Sequence, residues 1–537
     1  MIAGIRIRTR NGESDCVYSE TTGKISVDLE NITNNGSGFD LLIRLKSPIV
    51  SFRTQDYRWQ DFMDTIIAAA FNPKILKLGN GCFIQPNQNI GIWEVHKSDP
   101  SLLYWRFNPE NSTPITVYEK PDNAKQIASA KQIYDLSNGI QILYSALHAI
   151  EFSRSEIPFS AVAVFTDHCD YDTAASIKLQ RKFFKSAGIT ITKGFFLNHF
   201  SKRADNASYQ QDADELQLWL NDGHELAYHS LEQSLKPTSQ SIADFIDFKP
   251  PLPGLVTWID HGYQPYNSSL HKSSGIDDKF YGNILYEKGI SSLWNYIDSG
   301  TATEGVINQL NTNDFTLGAF YKGTRGLSRK QRMAMMVKNT IFHYFADQKM
   351  LLHYKTVAAG VKSILYNRKL NNIFPVMNSL WTLIVAMCGV LLHWNAAKNE
   401  PYKLAKYCPL LFKHVIGEKE FTIFQTIEMV DFKKALHPRN VDKLIDEKGI
   451  FIAHTYFSAP MNYHTGRMFA TPSEIDQTVQ QNFLYLGQQI SSGKIWNPTL
   501  NELTKFLLKF ERATLDVDPQ GNIIVKESDG ISYRTIH

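Results

Sequence analysis

The 537-residue chain is poor in cysteine, with five, at positions 16, 82, 169, 388 and 408. The number is odd, the spacing is wide and no CxxC pair occurs. That argues against a disulfide framework or a structural zinc knuckle, and for a reducing compartment. The chain also lacks charge of one dominant sign. Its 56 lysines and arginines face 53 aspartates and glutamates, a net charge of +3. A strongly basic nucleic-acid binder is excluded, as is an acidic tail, so no nucleic-acid partner is expected. The opening residues MIAGIRIRTRNGESD contain no long apolar core and no small-residue cleavage site. No secretory signal is visible there, and a cytoplasmic location is expected. Internal repeats and low-complexity tracts are missing too. What is present is a 43% hydrophobic composition with 12% aromatics. That is enough for large packed cores, in a length that suggests roughly three domains, or one barrel with an added module.

One segment raises the question of a membrane. From Leu370 to Ala397 there is no Asp, Glu, Lys or Arg, and SLWTLIVAMCGVLLHW at Ser379–Trp394 is densely apolar. The dense run is shorter than the roughly 20 residues a spanning helix needs. Asn371, Asn372, Pro375 and Asn378 interrupt its approach. The first reading is a buried helix or helical hairpin. The second is membrane-surface association through 370–397, at the inner face of a membrane, with Lys362, Lys369, Lys398 and Lys403 flanking the segment.

Hydrophobic periodicity divides the chain. Residues 1–125 read as a β-rich module, because ISVDLEN, FDLLIRL, GCFIQP, IGIWEV, LLYWRF and ITVYEK are short apolar runs separated by NNGSG, GNG and NPENSTP. A helix is expected at about 125–152, from Ile133, Leu136, Ile140, Leu143, Leu147 and Ile150 at helical spacing. Residues 126–324 then read as the first part of a β/α unit. AVAVFTD, ITITKGFF, HELAYHS and LVTWID are strand-like, and TAASIKLQRKFFKSAG and DADELQLWLNDG are helical. Residues 325–418 look like a helical insertion. Residues 419–537 resume the alternation with FTIFQTIEMVDF and GIFIAHTYF and close on a hairpin at RATLDVDPQGNIIVK. Such alternation implies a parallel sheet or barrel, with chemistry at the C-terminal ends of the strands.

Those ends are rich in Asp and His. Asp167, His168 and Asp170 follow the first long apolar strand, and unpaired charge there is costly unless it serves a purpose. Asp172 and Thr173 precede a helix and are natural N-caps. His229 stands at the end of GHELAYHS, with Gln233 four residues on, while His224 sits near that strand's start. Then come Trp258, Asp260, His261 and Tyr263 in WIDHGY, Trp294 in LWNYID, and His454 and Tyr456 in IAHTY. A carboxylate and imidazoles at strand ends suit a divalent metal or a proton-transfer site. Each aromatic taken singly is a packing residue before it is a sugar-stacking one.

The order of these clusters resembles the polysaccharide deacetylases, the NodB-homology group of carbohydrate esterases. AVAVFTDHCD stands where that family has T-F-D-D-G. GHELAYHSLEQ stands where it has G-H-E and H-[ST]-x-x-H, with Gln233 in place of the second His. WIDHGYQPYN, LWNYID and IFIAHTYF follow in the places of its later motifs. The resemblance covers about 155–300 and 420–520. It implies an α/β fold, a distorted (β/α)7-type barrel preceded by the β-rich module. It implies a hydrolase that removes an N- or O-linked acetyl group from a sugar or glycan, in the making of surface polysaccharide. Asp167 would be the catalytic base and His454 the general acid. His168, Asp170 and His229 would hold a divalent metal, zinc first. Trp258, Asp260, His261, Tyr263, Trp294 and Tyr456 would line the substrate groove. Two alternatives stand beside it: a degenerate barrel that binds glycan or a protein partner without catalysis, and a hydrolase of a non-sugar amide.

Overall fold

Alternating burial builds the N-terminal third, and continuous burial builds the rest. The computed structural model describes every residue except 29–37, 120–124, 132–133, 364–372, 395–399 and 461–465. Strands Ile2–Thr9, Phe39–Leu45, Leu102–Phe107 and Ile92–Val95 belong to a six-stranded antiparallel sheet. Tyr18–Thr21, Lys24–Val27, Ile140–Ser145 and Phe83–Pro86 belong to a seven-stranded one. Both sheets feed one apolar core, in which Ile5, Leu41, Trp93 and Trp105 of the first meet Ile25, Ile84 and Ile142 of the second. The helix expected at 125–152 is not there. Lys125–Ser129, Ile140–Ser145 and Ala149–Phe152 are strands, and Ile133 lies outside the described residues. Ile140 and Ile142 face the core with Gln141 between them. That two-residue period overrides the helical spacing once a neighbouring strand is available.

From residue 161 the parallel strands are buried on both faces, as parallel strands covered by helices are. Ala161–Asp167 is buried at all seven positions. It lies parallel to Thr192–Phe195 on one side and to Ile450–Thr455 on the other. Glu225–Tyr228, Thr257–Ile259 and Ser292–Trp294 continue outward from Thr192–Phe195, and Thr426–Met429 and Asp298–Thr301 continue from Ile450–Thr455. The connecting helices start and stop where local chemistry dictates. Ala174–Ala187 is capped by a reciprocal Thr173–Ser176 box and ends at the left-handed Gly188, and Leu500–Arg512 opens on a Thr499–Glu502 box. The helix Tyr209–Asn221 and the hairpin Thr514–Val517 with Ile523–Glu527 match the sequence reading.

The expected (β/α)7-type barrel is corrected to a mixed fold. Ten strands follow one hydrogen-bonded path that curves as a half-barrel, an eleventh, Ile495–Trp496, branches from it, and the path ends in an antiparallel pair, Lys419–Phe424 with Leu411–Ile416. Among the described residues, every other sheet in the molecule is antiparallel. The physical reason is that β–α alternation fixes the direction of neighbouring strands but not how a sheet closes or what is added at its edge. The helical reading of 325–418 fails at its end, since LFKHVI is that added edge strand. Helices do fill much of 325–418, at Arg329–Asn339, Gln348–Lys362 and Ile373–Leu392.

Gly194 marks where the first two central strands press together. A Cβ there would sit 2.2 Å from the carbonyl oxygen of Asp167. Gly194→Ala is expected to destabilise the protein by about 1–3 kcal/mol through overpacking. A urea titration checks it: the midpoint should fall at constant slope.

Candidate functional site

Parallel strands deliver their C-terminal ends to one edge of the sheet, and three of those ends meet there. His168 follows Ala161–Asp167, and Asp170 comes two residues later. His229 follows Glu225–Tyr228, and His261 lies two residues beyond Thr257–Ile259. Asp170 is the centre. One of its oxygens lies 2.9 Å from His229 Nε2 and the other 3.1 Å from His261 Nδ1, and the two imidazole nitrogens are 3.2 Å apart. His168, Asp170 and His229 each present a ligand atom within 4.8 Å of the others. Ser230, directly after His229, sits in the left-handed region at φ 60°, a conformation that a non-glycine residue adopts at a cost. Its hydroxyl accepts from the His261 backbone N–H at 3.2 Å, which ties the two imidazole-bearing turns together.

The tautomers decide what the cluster wants. His261 Nε2 faces the carbonyl oxygen of Gln233 at 2.9 Å, so that nitrogen carries a proton. In a neutral ring Nδ1 is then bare, yet it points at a carboxylate oxygen and at another imidazole nitrogen. Either a second proton or a cation must sit between them. Burial opposes ionisation of Asp170, but His261 and His229 outweigh it and hold the carboxyl well below its usual range. Burial pushes His261 down, but Asp170 outweighs it and raises the ring above its usual value. Burial keeps His229 below its usual value despite Asp170, and burial holds His168 far below, with His454 and His229 adding to it. Two buried nitrogens, His168 Nε2 and His229 Nδ1, have no hydrogen-bond partner.

These residues fit a divalent metal. A tetrahedral shell with bonds of about 2.0–2.1 Å has donor–donor edges of about 3.3 Å. The observed 2.9–3.2 Å are close to those edges and slightly shorter. The Gln233 carbonyl on the far nitrogen of His261 is the outer partner that a metal-bound imidazole commonly keeps. His261, assigned by sequence to substrate, thus stands against Asp170 and His229.

Beside the donors stands a second imidazole system. His454 Nδ1 lies 3.1 and 3.3 Å from the two oxygens of Asp298, which also accepts from Thr426 Oγ1 at 2.7 Å. His454 Nε2 is buried and unpartnered. The ring stacks on His168 at 3.8 Å between centroids, and Trp294 meets both rings edge-on at 4.8 and 4.6 Å. Tyr456, half-buried, packs against both imidazoles, and a cavity of about 320 Å³ lined by Tyr171, Arg203, Ser458 and Arg467 opens beyond it.

Asp167 does not join this group. In register it faces Lys193, and both point away from the edge that His168 and His454 share. Lys193 is fully buried and donates to Asp167, to Asp172 and, at 2.9 Å, to Gln180 Oε1. The other Asp167 oxygen accepts from the Phe457 N–H at 3.2 Å. Burial raises the Asp167 carboxyl to about 7 against the pull of Lys193. Its lone pairs are committed, which is the wrong situation for the expected base. The helix cap is Thr173, and Asp172 turns inward to the same ammonium. Two substrate assignments are also corrected. Trp258 is fully buried among Tyr228, Phe245, Phe248 and Tyr266. Asp260 is spent on the N–H groups and hydroxyls of Ser268 and Ser269. Tyr263 is partly exposed and meets Tyr118 edge-on at 6.0 Å. His224 packs on Trp219, and Glu225 ties Thr192, Thr257 and the Asn501 N–H together, both away from the donors. Asp298 was the residue that sequence reasoning left unassigned; its signal was a carboxylate in the same strand-end series, in LWNYID.

No protein-family model matches the chain, and no curated protein matches it. Solved structures that overlap with it include two enzymes. One is a xylosidase from Aspergillus niger, 13% identical over 55% of this chain and 42% of that one, with a TM-score of 0.21. The other is a GH31 dextranase from Flavobacterium johnsoniae complexed with glucose, 9% identical over 99% and 70%, with a TM-score of 0.29. The chain spans less than half the length of the first. Superpositions this loose establish neither a shared fold nor a shared activity.

Lys193→Met should leave two buried carboxylates facing each other without a cation. The expected loss is about 3–5 kcal/mol, read by chemical denaturation. Combining it with Asp167→Asn should restore part of it, and strict additivity would show that the two do not act as a pair.

Proposed function

We propose that the protein is a metal-dependent hydrolase that removes an acyl group, acetyl in the first instance, from a sugar or glycan. The observation that carries this reading is the Asp170–His229–His261 contact set, three donors from three strand ends within 3.2 Å of one another. Asp170, His229 and His261 would hold the cation, with His168 as the fourth donor; the donor set suits zinc. Bound there, a divalent cation supplies Lewis acidity to an acyl carbonyl and lowers the pKa of water.

The chain's own groups do the proton work. His454, aligned by Asp298 through Nδ1, has a free Nε2 to accept a proton from the attacking water. The same nitrogen then returns the proton to the departing amine or alcohol, so the overall change is one water consumed and one acid and one amine or alcohol released. Asp298 is a positioning residue: it fixes the tautomer and favours the imidazolium formed midway. Trp294 and the His168 ring wall the reacting space against water. The Tyr456 face and the adjoining cavity give a sugar ring an aromatic surface and two arginines.

Elemental analysis of the purified, tag-free protein is the test. About one equivalent of a transition metal is expected in the wild type, and it should be lost in His229→Ala and in His261→Ala. His454→Ala should keep the metal and lose about 10²–10⁴-fold in acetate release from acetylated saccharides. Asp167→Asn, once shown to be folded, should keep both metal and most turnover, because Asp167 faces Lys193. Absence of metal after reconstitution would overturn the proposal in favour of a glycan-binding or partner-binding role.

A further inference from the structure

The helix Ile373–Leu392 is apolar on nearly every side and yet is left uncovered. Its window Phe374–Leu392 has a mean hydropathy of 1.8, and 17% of it is buried. One stripe, Ser379, Leu383 and Val390, is covered. Its neighbour is the helix Gln348–Lys362, where His353 Nδ1 meets Ser379 Oγ at 3.1 Å and Val376 packs onto Gly360 closer than any Cβ would allow. The remaining faces are open. Phe374 is 85% exposed, Trp381 66% and Leu392 84%, with Ile384 and Val385 half-exposed between them. A helix that is apolar all round belongs in a protein core or in lipid, and this one is not in the core. The reading of 370–397 as a buried helix is therefore corrected for its described part; 370–372 and 395–397 lie outside the described residues.

Charge selects the occupant. Between Phe315 and Asn399 the sole acidic residue is Asp347, against twelve lysines and arginines, in a chain whose overall balance is 56 to 53. This block, which flanks the exposed apolar helix along the chain, complements an anionic lipid surface, with Lys338 turned instead to Glu428. Two copies of the same block would repel each other, which disfavours a self-association face. The neighbouring helix carries Lys349 and Lys355 and mixed polar residues, so the pair is built to lie on a bilayer rather than to cross it.

We propose that Ile373–Leu392 docks the protein on an anionic phospholipid bilayer, with its exposed apolar side chains among the acyl chains and the surrounding lysines and arginines at the headgroups. This does not depend on the hydrolase assignment. The test is flotation of the full-length protein with vesicles of phosphatidylcholine alone and of phosphatidylcholine mixed with phosphatidylglycerol. Binding is expected to the mixed vesicles, weakened by added salt. The Trp381→Asp/Val385→Asp double variant, whose substitutions are at exposed positions, should melt as the wild type does and lose binding tenfold or more. Wild-type protein that stays unbound would overturn the proposal, as would a variant that binds equally well. A lipid-free wild-type dimer that the double variant converts to monomer would overturn it in favour of a second copy.

Discussion

A single buried ammonium sets the frame on which the strand-end chemistry stands. Lys193 is sealed from solvent and holds the carboxylates of Asp167 and Asp172. Those three residues come from a strand end, the next strand and the turn into a helix, and Ser458 joins them through Asp172 at 2.7 Å. A cation in that position is stable only if its counter-charges are fixed, and the counter-charges are fixed only if the strands keep their register. His168 and Asp170 lie on the short loop between Asp167 and Asp172. Their placement is therefore set by two anchors only five residues apart. The site's placement thus rests on this ion cluster behind it as well as on the contacts that Asp170 makes with His229 and His261.

Much of this was legible in the sequence, and the limits have identifiable causes. Apolar strands ending in Asp and His gave the edge of the sheet and the residues 168, 170, 229 and 454 that meet there. Periodicity could not tell which side of the strand end Asp167 takes. Adjacent strand residues face opposite ways, so Asp167 and His168 cannot both follow the strand's geometry into one site. The partner that draws Asp167 away, Lys193, lies in ITITKGFF, a run read only as an apolar strand. Closure of the sheet was equally invisible. Whether LFKHVI adds as a parallel or an antiparallel strand depends on the connection that brings it back, and local hydrophobicity carries no record of that.

Gln233 shows the same limit from the other side. Taken along the chain, a glutamine where a second histidine is expected removes a ligand. In space its backbone carbonyl orients His261, which arrives from the next strand and takes a place against Asp170. The side chain of Gln233 meanwhile accepts from Ser201 and Ser234. A ligand set is a property of a sheet edge, not of one segment. Parallel neighbours supply equivalent positions about 4.8 Å apart, so an imidazole can move from one strand end to the next while the donor cluster keeps its shape.

The helical block is joined to that edge by charge as well as by packing. Lys338, on the helix Arg329–Asn339, reaches both oxygens of Glu428 at 2.8 and 2.9 Å. Glu428 pairs in register with His454. Burial disfavours the Glu428 carboxylate, but Lys338 outweighs it and holds the pKa down at about 2. His343 adds a second link, lying 3.4 Å from Thr301 Oγ1 on the strand that begins with Asp298. The residues that align and flank the His454 imidazole are thus held partly by the block that presents the uncovered apolar helix. Ile341 of that block shares a small apolar core with Met350, Leu351 and Leu383. The helix Ile373–Leu392 is therefore connected, through packed side chains and one partly buried ion pair, to the strands around Asp298 and His454. The block thus meets the sheet through an ion pair and a hydrogen bond, and keeps its own small apolar core between helices.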